Sequence, residues 1–182
     1  MTTYFVEKPK GFDVKMRIAH AVTRPLRDMT VADICREAGV SRQTFYAHFE
    51  SKYDIASWCA LYYGSLTLRE IGRTLSWREG YERWFSMIEQ ERELFRNSSR
   101  QDYVRQNRRE VARKRLEEFR ETVAVYRKRE MTDDLEFFAW MCARLEGTVS
   151  TEWFESDFAM PAETMARRMT MCVPSELYRL LS

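Results

Sequence analysis

The 182-residue chain is poor in the residues that break helices, with only six glycines and four prolines. That scarcity, beside many Arg, Glu, Leu, Met and Ala, argues for an all-α protein. Histidine is scarcer still, with two in the whole chain. The four cysteines (Cys35, Cys59, Cys142, Cys172) are far apart and form no CxxC pair. This excludes an ordinary zinc site and favours reduced core thiols over disulfides, so no metal is expected and the compartment is cytoplasmic. No apolar run approaches the length that crosses a bilayer, so no membrane contact is expected. The opening MTTYFVEKPKGFDVK has no apolar signal core, so secretion is not indicated. A Gly-rich phosphate loop and a nucleophile elbow are both absent, and no catalytic constellation is visible, which argues against an enzyme and against a bound cofactor. The chain has no internal repeat and no low-complexity tract.

Hydrophobic residues make up 45% of the chain and charged residues 32%, an ordinary soluble globular composition with enough length for one large domain or two small ones. The net charge is only +2, but it is unevenly spread. Residues 1–52 hold nine Lys/Arg against six Asp/Glu, and the remainder twenty-one against twenty-two. The basic excess at the N-terminus is consistent with a nucleic-acid surface. All five tryptophans follow residue 52, so the bulky apolar residues belong to the second part.

Apolar periodicity sets out the helices. Val14, Ile18, Val22 and Leu26 recur every four residues and predict a helix over 12–27, its last turn distorted by Pro25. Thr30 with Asp33 caps a second helix, and Gly39 suits the left-handed position that ends it. Ser41 caps a short third helix that turns Phe45 and Phe49 inward. Ser51 with Asp54 opens an element to about residue 74, and Ser76 with Glu79 another through about 95. Asn97-Ser98-Ser99 reads as a loop. A long charged helix covers about 100–130, and its mixed signs favour a solvated face over a second nucleic-acid surface. Thr132 caps a helix to about 155, and Pro161 begins the last long element, which Pro174 kinks or ends.

The stretch AGVSRQTFYAHFESK, residues 38–52, joins the second and third helices through a four-residue turn containing glycine, the helix-turn-helix arrangement. With Phe45 inward, Arg42, Gln43, Thr44, Tyr46 and His48 face outward at the leading end of the third helix, where a recognition helix meets base edges. Thr30 and Lys52 start the flanking helices, where backbone N–H groups favour phosphate. Taken singly each has a plain structural reading: caps at Thr30 and Ser41, a solvated Lys52, a satisfied His48.

The segment TVADICREAGVSRQTFYAHFESKYDI resembles the DNA-binding signature of the tetracycline-repressor (TetR) family, over Thr30 to Ile55. The R-Q-T-F-Y wording, the K-Y-D-I that follows and a later E-F-F…G…W…P-A-E-T-M-A pattern look like the branch that includes regulators related to the dihydroxyacetone-kinase activator. The resemblance implies an all-helical homodimer of about nine helices per chain, with a DNA-binding head at 1–52 and a regulatory and dimerising unit at 53–182. The DNA-facing positions it carries over are Thr30, Ser41, Arg42, Gln43, Thr44, Tyr46, Ala47, His48 and Lys52. The glycine usual after the family's first helix is missing from RPLRDMT, where Pro25 intrudes. The C-terminal match is loose.

Two further sets of residues carry expectations. Ala139, Ala143, Gly147 and Thr151 recur every four residues with Ser150 beside them, a small-residue ridge suited either to a two-fold interface completed by Met165, Met169 and Cys172, or to packing inside one subunit. Trp84, Tyr103, Phe119, Tyr126, Phe137, Trp140 and Met141 lie on helices that could surround an aromatic-lined ligand cavity, or could simply be core. The leading expectation is a homodimeric, nucleoid-associated repressor, partnered by double-stranded operator DNA and released by a small molecule. The alternative is a regulator whose helical unit binds a kinase-like protein.

Overall fold

The first helix, α1, spans Phe12–His20 and stops short of Val22 and Leu26, which the four-residue repeat had assigned to it. Pro25 is the cause, since a proline disfavours helical geometry in the residue before it. The chain becomes extended at Pro25 (φ −49°, ψ 129°) and makes a single 3₁₀ turn over Leu26–Asp28. Val22 and Leu26 are still buried, at 2% and 1% exposed, but they reach the core from a turn.

A computed structural model describes residues 8–99 and 102–182, of which 99 and 102–107 are described by backbone alone. After α1 come α2 (Val31–Ala38), α3 (Arg42–Tyr46), α4 (Asp54–Leu66), α5 (Trp77–Gln90), α6 (Arg92–Ser99), α7 (Asp102–Glu121), α8 (Asp133–Glu155), α9 (Ala162–Met171) and α10 (Ser175–Leu181). A 3₁₀ turn, Leu68–Glu70, follows α4, and a π-helical turn, Thr122–Tyr126, closes α7. The class is all-α: among the described residues the sole β feature is an isolated bridge between Ile71 and Leu75. Among the described residues ten α-helices stand where about nine were expected, with breaks at Glu91 between α5 and α6 and at Pro174 between α9 and α10.

Local capping explains the starts. The Thr30 hydroxyl accepts from the Asp33 N–H, and the Asp33 carboxylate accepts from the Thr30 N–H at 2.9 Å. Ser76 and Glu79 make the same reciprocal pair at α5. Each box satisfies two backbone donors that a helix start leaves open. Gly39 ends α2 at φ 62°, the left-handed conformation glycine adopts without strain. Along α5, Trp77, Tyr81, Trp84, Phe85 and Ile88 form a buried stripe, with α9 packed against this helix, while α7 lies on α8.

Two polar residues serve tertiary structure rather than the roles expected of them. Asn97 and Ser98 are not in a loop: they lie within α6 and are buried. The Asn97 amide donates to the Val22 carbonyl at 3.0 Å, tying α6 to the turn after α1. Lys52, expected at a phosphate, instead turns inward and donates to the carbonyls of Leu26 and Met29 at 2.5 and 2.6 Å. Leu26 also accepts from the Met29 N–H at 3.3 Å, so the ammonium adds a second tie to the turn that follows the early end of α1 and gives the Met29 carbonyl a partner. Lys52→Met should therefore lower the unfolding free energy by about 2 kcal/mol, the scale of losing hydrogen bonds to a charged donor. A urea titration measures it; unchanged stability with weakened DNA binding would restore the phosphate role.

Candidate nucleic-acid interface and interior cavity

Ser41 starts α3 by accepting from the Thr44 N–H at 3.0 Å, and the two hydroxyls lie 2.9 Å apart. Phe45 is fully buried beneath α3, with Phe49 at 5.8 Å between ring centroids. Phe49 in turn meets Trp58 edge-on at 6.0 Å, and the Lys15 ammonium lies over both rings. This anchor fixes which side of α3 faces out. Arg42, Gln43, Tyr46 and Ala47 are exposed, Tyr46 by 57%. Thr30 is exposed too, but its hydroxyl donates to Asp33 at 2.7 Å. Hydrogen bonds from the Thr30 backbone and hydroxyl, and then from Arg36, hold the Asp33 carboxyl well below the usual carboxylate range. His48 is half-buried against Gly11, where an added Cβ would lie 2.5 Å from the imidazole Cε1. The nine positions thus divide. Arg42, Gln43, Tyr46 and Ala47 present themselves outward, while Ser41, Thr44, Thr30, His48 and Lys52 are engaged in holding the head together.

A second feature lies inside the molecule. A cavity of about 120 Å³ opens between α4, α6, α7 and α8. Its walls are made by small residues: Ala56, Ala60 and Gly64 from α4, and Ala143, Gly147, Ser150 and Thr151 from α8. Nothing lies within 4 Å of a Cβ added at Gly147. Leu26, from the turn that Lys52 holds, forms part of the lining.

The small-residue ridge and the aromatic set are placed differently from each other. Ala139, Ala143, Ser150, Thr151, Met165 and Met169 are all buried within the subunit, so they present no surface to a second copy; of the expected interface residues only Cys172 is exposed. Small side chains here make room for a cavity rather than for another helix. Of the described members of the aromatic set, only Trp84 lines that cavity. Phe119 is core, with its ring 5.9 Å from Trp77 and the Arg115 guanidinium 3.8 Å above it. Met141 is half-buried and outside the lining. Tyr126 is half exposed under Arg73, and Phe137 and Trp140 stand at the surface, 57% and 47% exposed with centroids 5.9 Å apart. The side chain of Tyr103 lies outside the described residues.

The polar part of the lining escaped periodicity altogether, because charges on a helix normally signal solvent. Arg115, 4% exposed, donates from Nε to Glu146 at 3.0 Å, and Tyr81 donates to the other Glu146 oxygen, also at 3.0 Å. Glu118 lies 3.6 Å from Arg115 Nη1, and burial pushes its carboxyl above the usual range. Arg108 and Lys114 also belong to the lining.

Comparison with known proteins agrees with this architecture. No curated protein matches the sequence. Among solved structures, the "Dihydroxyacetone kinase operon activator DhaS" has a similar fold, with a TM-score of 0.62 at 14% identity, over 93% of this chain and 98% of that one. Residues 21–57, which contain α2, α3 and the turn between them, match the description "Bacterial regulatory proteins, tetR family". Residues 21–57 thus carry a helix-turn-helix that matches the DNA-binding region of bacterial regulatory proteins of the tetR family.

Proposed function

We propose that the protein is a homodimeric, cytoplasmic repressor whose head, residues 1–52, reads operator DNA and whose remainder, 53–182, senses a small molecule. The observation that carries this reading is the contact between the two: Leu26, on the turn between α1 and α2, is part of the cavity lining, and Lys52 and Asn97 fasten that same turn region. A ligand filling the cavity would press on the seat of the head and bias its position, which is all that a population shift requires. An interior cavity suits a small molecule better than the kinase-like protein partner, which would need an outer face.

Arg42 and Gln43 would reach base edges from the exposed start of α3, with Tyr46 and Ala47 beside them. Two heads must sit about 34–36 Å apart to enter successive major grooves. The surface that would pair the subunits is the outward stripe of α8, where Phe137 and Trp140 are too apolar for an ordinary solvated helix, with exposed Met171 and Cys172 at the end of α9.

Arg42→Ala should cost about 1–3 kcal/mol in affinity for DNA upstream of the protein's own gene, and should flatten its preference among sequences. Fluorescence anisotropy at several salt concentrations measures both. Affinity that is unaltered, or equal for all duplexes in the parent protein, would count against the repressor. Trp140→Ser should shift the dimer towards monomer by at least about tenfold, the scale of losing one aromatic anchor. Sedimentation equilibrium reads the change, and a parent protein that sediments as a monomer would remove the two-headed mechanism.

A further inference from the structure

Unpartnered polar atoms gather at one place in the molecule. Among the described residues, seven buried side-chain nitrogen or oxygen atoms have no hydrogen-bond partner, and five of them belong to residues lining the cavity: Trp84 Nε1, Ser98 Oγ, Ser150 Oγ, and Arg115 Nη1 and Nη2. Buried polar groups are ordinarily satisfied, so such a concentration marks a place where something else supplies the partners. Three of the five are donors only, since an indole N–H and a guanidinium cannot accept; the two hydroxyls can adapt to either role. The missing partner is therefore an acceptor.

The charge of the lining agrees. Arg108, Lys114 and Arg115 face Glu118 and Glu146, leaving one positive charge in excess. Both Glu146 oxygens are already occupied, by Tyr81 and by Arg115 Nε, so that carboxylate has little left to offer a cation. Glu118 approaches Arg115 Nη1 only at 3.6 Å, without a hydrogen bond, and burial favours its protonated form. The remaining lining is largely apolar, with a few hydroxyls, and a cavity of about 120 Å³ is close to the engineered void of about 150 Å³ that admits benzene.

Resting on the reading of this cavity as the sensing site, we propose that its ligand is a small monocarboxylic acid with a ring or short hydrocarbon body, its carboxylate set against the two outer guanidinium nitrogens of Arg115, neither of which makes a hydrogen bond, and the indole N–H of Trp84. A planar guanidinium with both outer nitrogens available holds a carboxylate in bidentate fashion, whereas an amine meets only donors and a net positive charge. An alcohol of the same shape would fill the space and leave most of the donors unmet.

Calorimetry on the full-length protein without DNA, using benzoate and hexanoate against benzylamine, hexylamine and benzyl alcohol, tests this. The acids should bind at least about tenfold tighter than either comparison class, the scale of one charge-assisted bidentate contact. Arg115→Gln should remove that preference and leave benzyl alcohol unaffected. Because Arg115 also pairs with Glu146, Trp84→Phe provides a second variant that keeps an aromatic ring and lacks only the N–H; it should weaken the acids several-fold and the alcohol not at all. Amines or alcohol binding as well as the acids, or no binding by any of them, overturns the proposal. The same probes added to the protein–DNA complex separate this from the sensing reading. Acids that bind and leave the DNA in place keep the ligand class and remove the release mechanism, whereas amines that bind and release the DNA do the reverse.

Discussion

A buried charge pair, Arg115 with Glu146 at 3.0 Å, is the interaction on which the interior depends. The two residues are 4% and 5% exposed, and Tyr81 completes the group, so α5, α7 and α8 meet at a single polar knot. Withdrawing two charges from water is unfavourable unless their remaining hydrogen-bonding capacity is met, and breaking such a pair by removing one partner typically costs about 3–5 kcal/mol. Glu146 is fully met here. Arg115 is not: its two outer nitrogens make no hydrogen bond, and the residue is part of the cavity lining. The helices around the cavity are thus held by an arrangement that is complete on one side and open on the side where a ligand would lie.

The cavity follows from the small residues that surround this knot. Gly64, Ala60 and Ala56 on α4 and Ala143, Gly147 and Ser150 on α8 all line the cavity, and side chains this small leave space that larger ones would fill. At its edge the lining includes Leu26, in the turn created where Pro25 forbids α1 to continue. The corner made at Pro25 therefore has a structural consequence. It sets the carbonyls of Leu26 and Met29 where Lys52 donates to both, and it places the apolar side chain of Leu26 in the cavity wall.

Features set by neighbours in sequence were legible from the chain alone. The caps at Thr30, Ser41, Ser76 and Thr132, the left-handed Gly39 and the inward Phe45 and Phe49 depend on residues within a turn or two, and all-α architecture follows from them. Features set by distant partners were not. Asn97 looked like a loop residue because its partner, the Val22 carbonyl, lies in another element. The ridge from Ala139 to Thr151 announced a face of α8 without saying what it faced, and small size permits a cavity as readily as a close helix contact. Phe137 and Trp140 were placed inside on their size alone, although a subunit surface that meets its own copy also carries such residues. Arg115 and Glu146 went unread, since charged residues on a charged helix give no sign of burial until the opposing helix is in place.

The central claim is that filling the cavity loosens the grip of the head on DNA. Gly147→Leu tests it without any ligand, because a side chain added there meets no neighbouring atom within 4 Å at its Cβ and would grow into the cavity. The account predicts a variant that folds with at least the parent's stability, since glycine within a helix is unfavourable, and that binds its upstream DNA several-fold more weakly. A folded variant that binds the same DNA as tightly as the parent would contradict it.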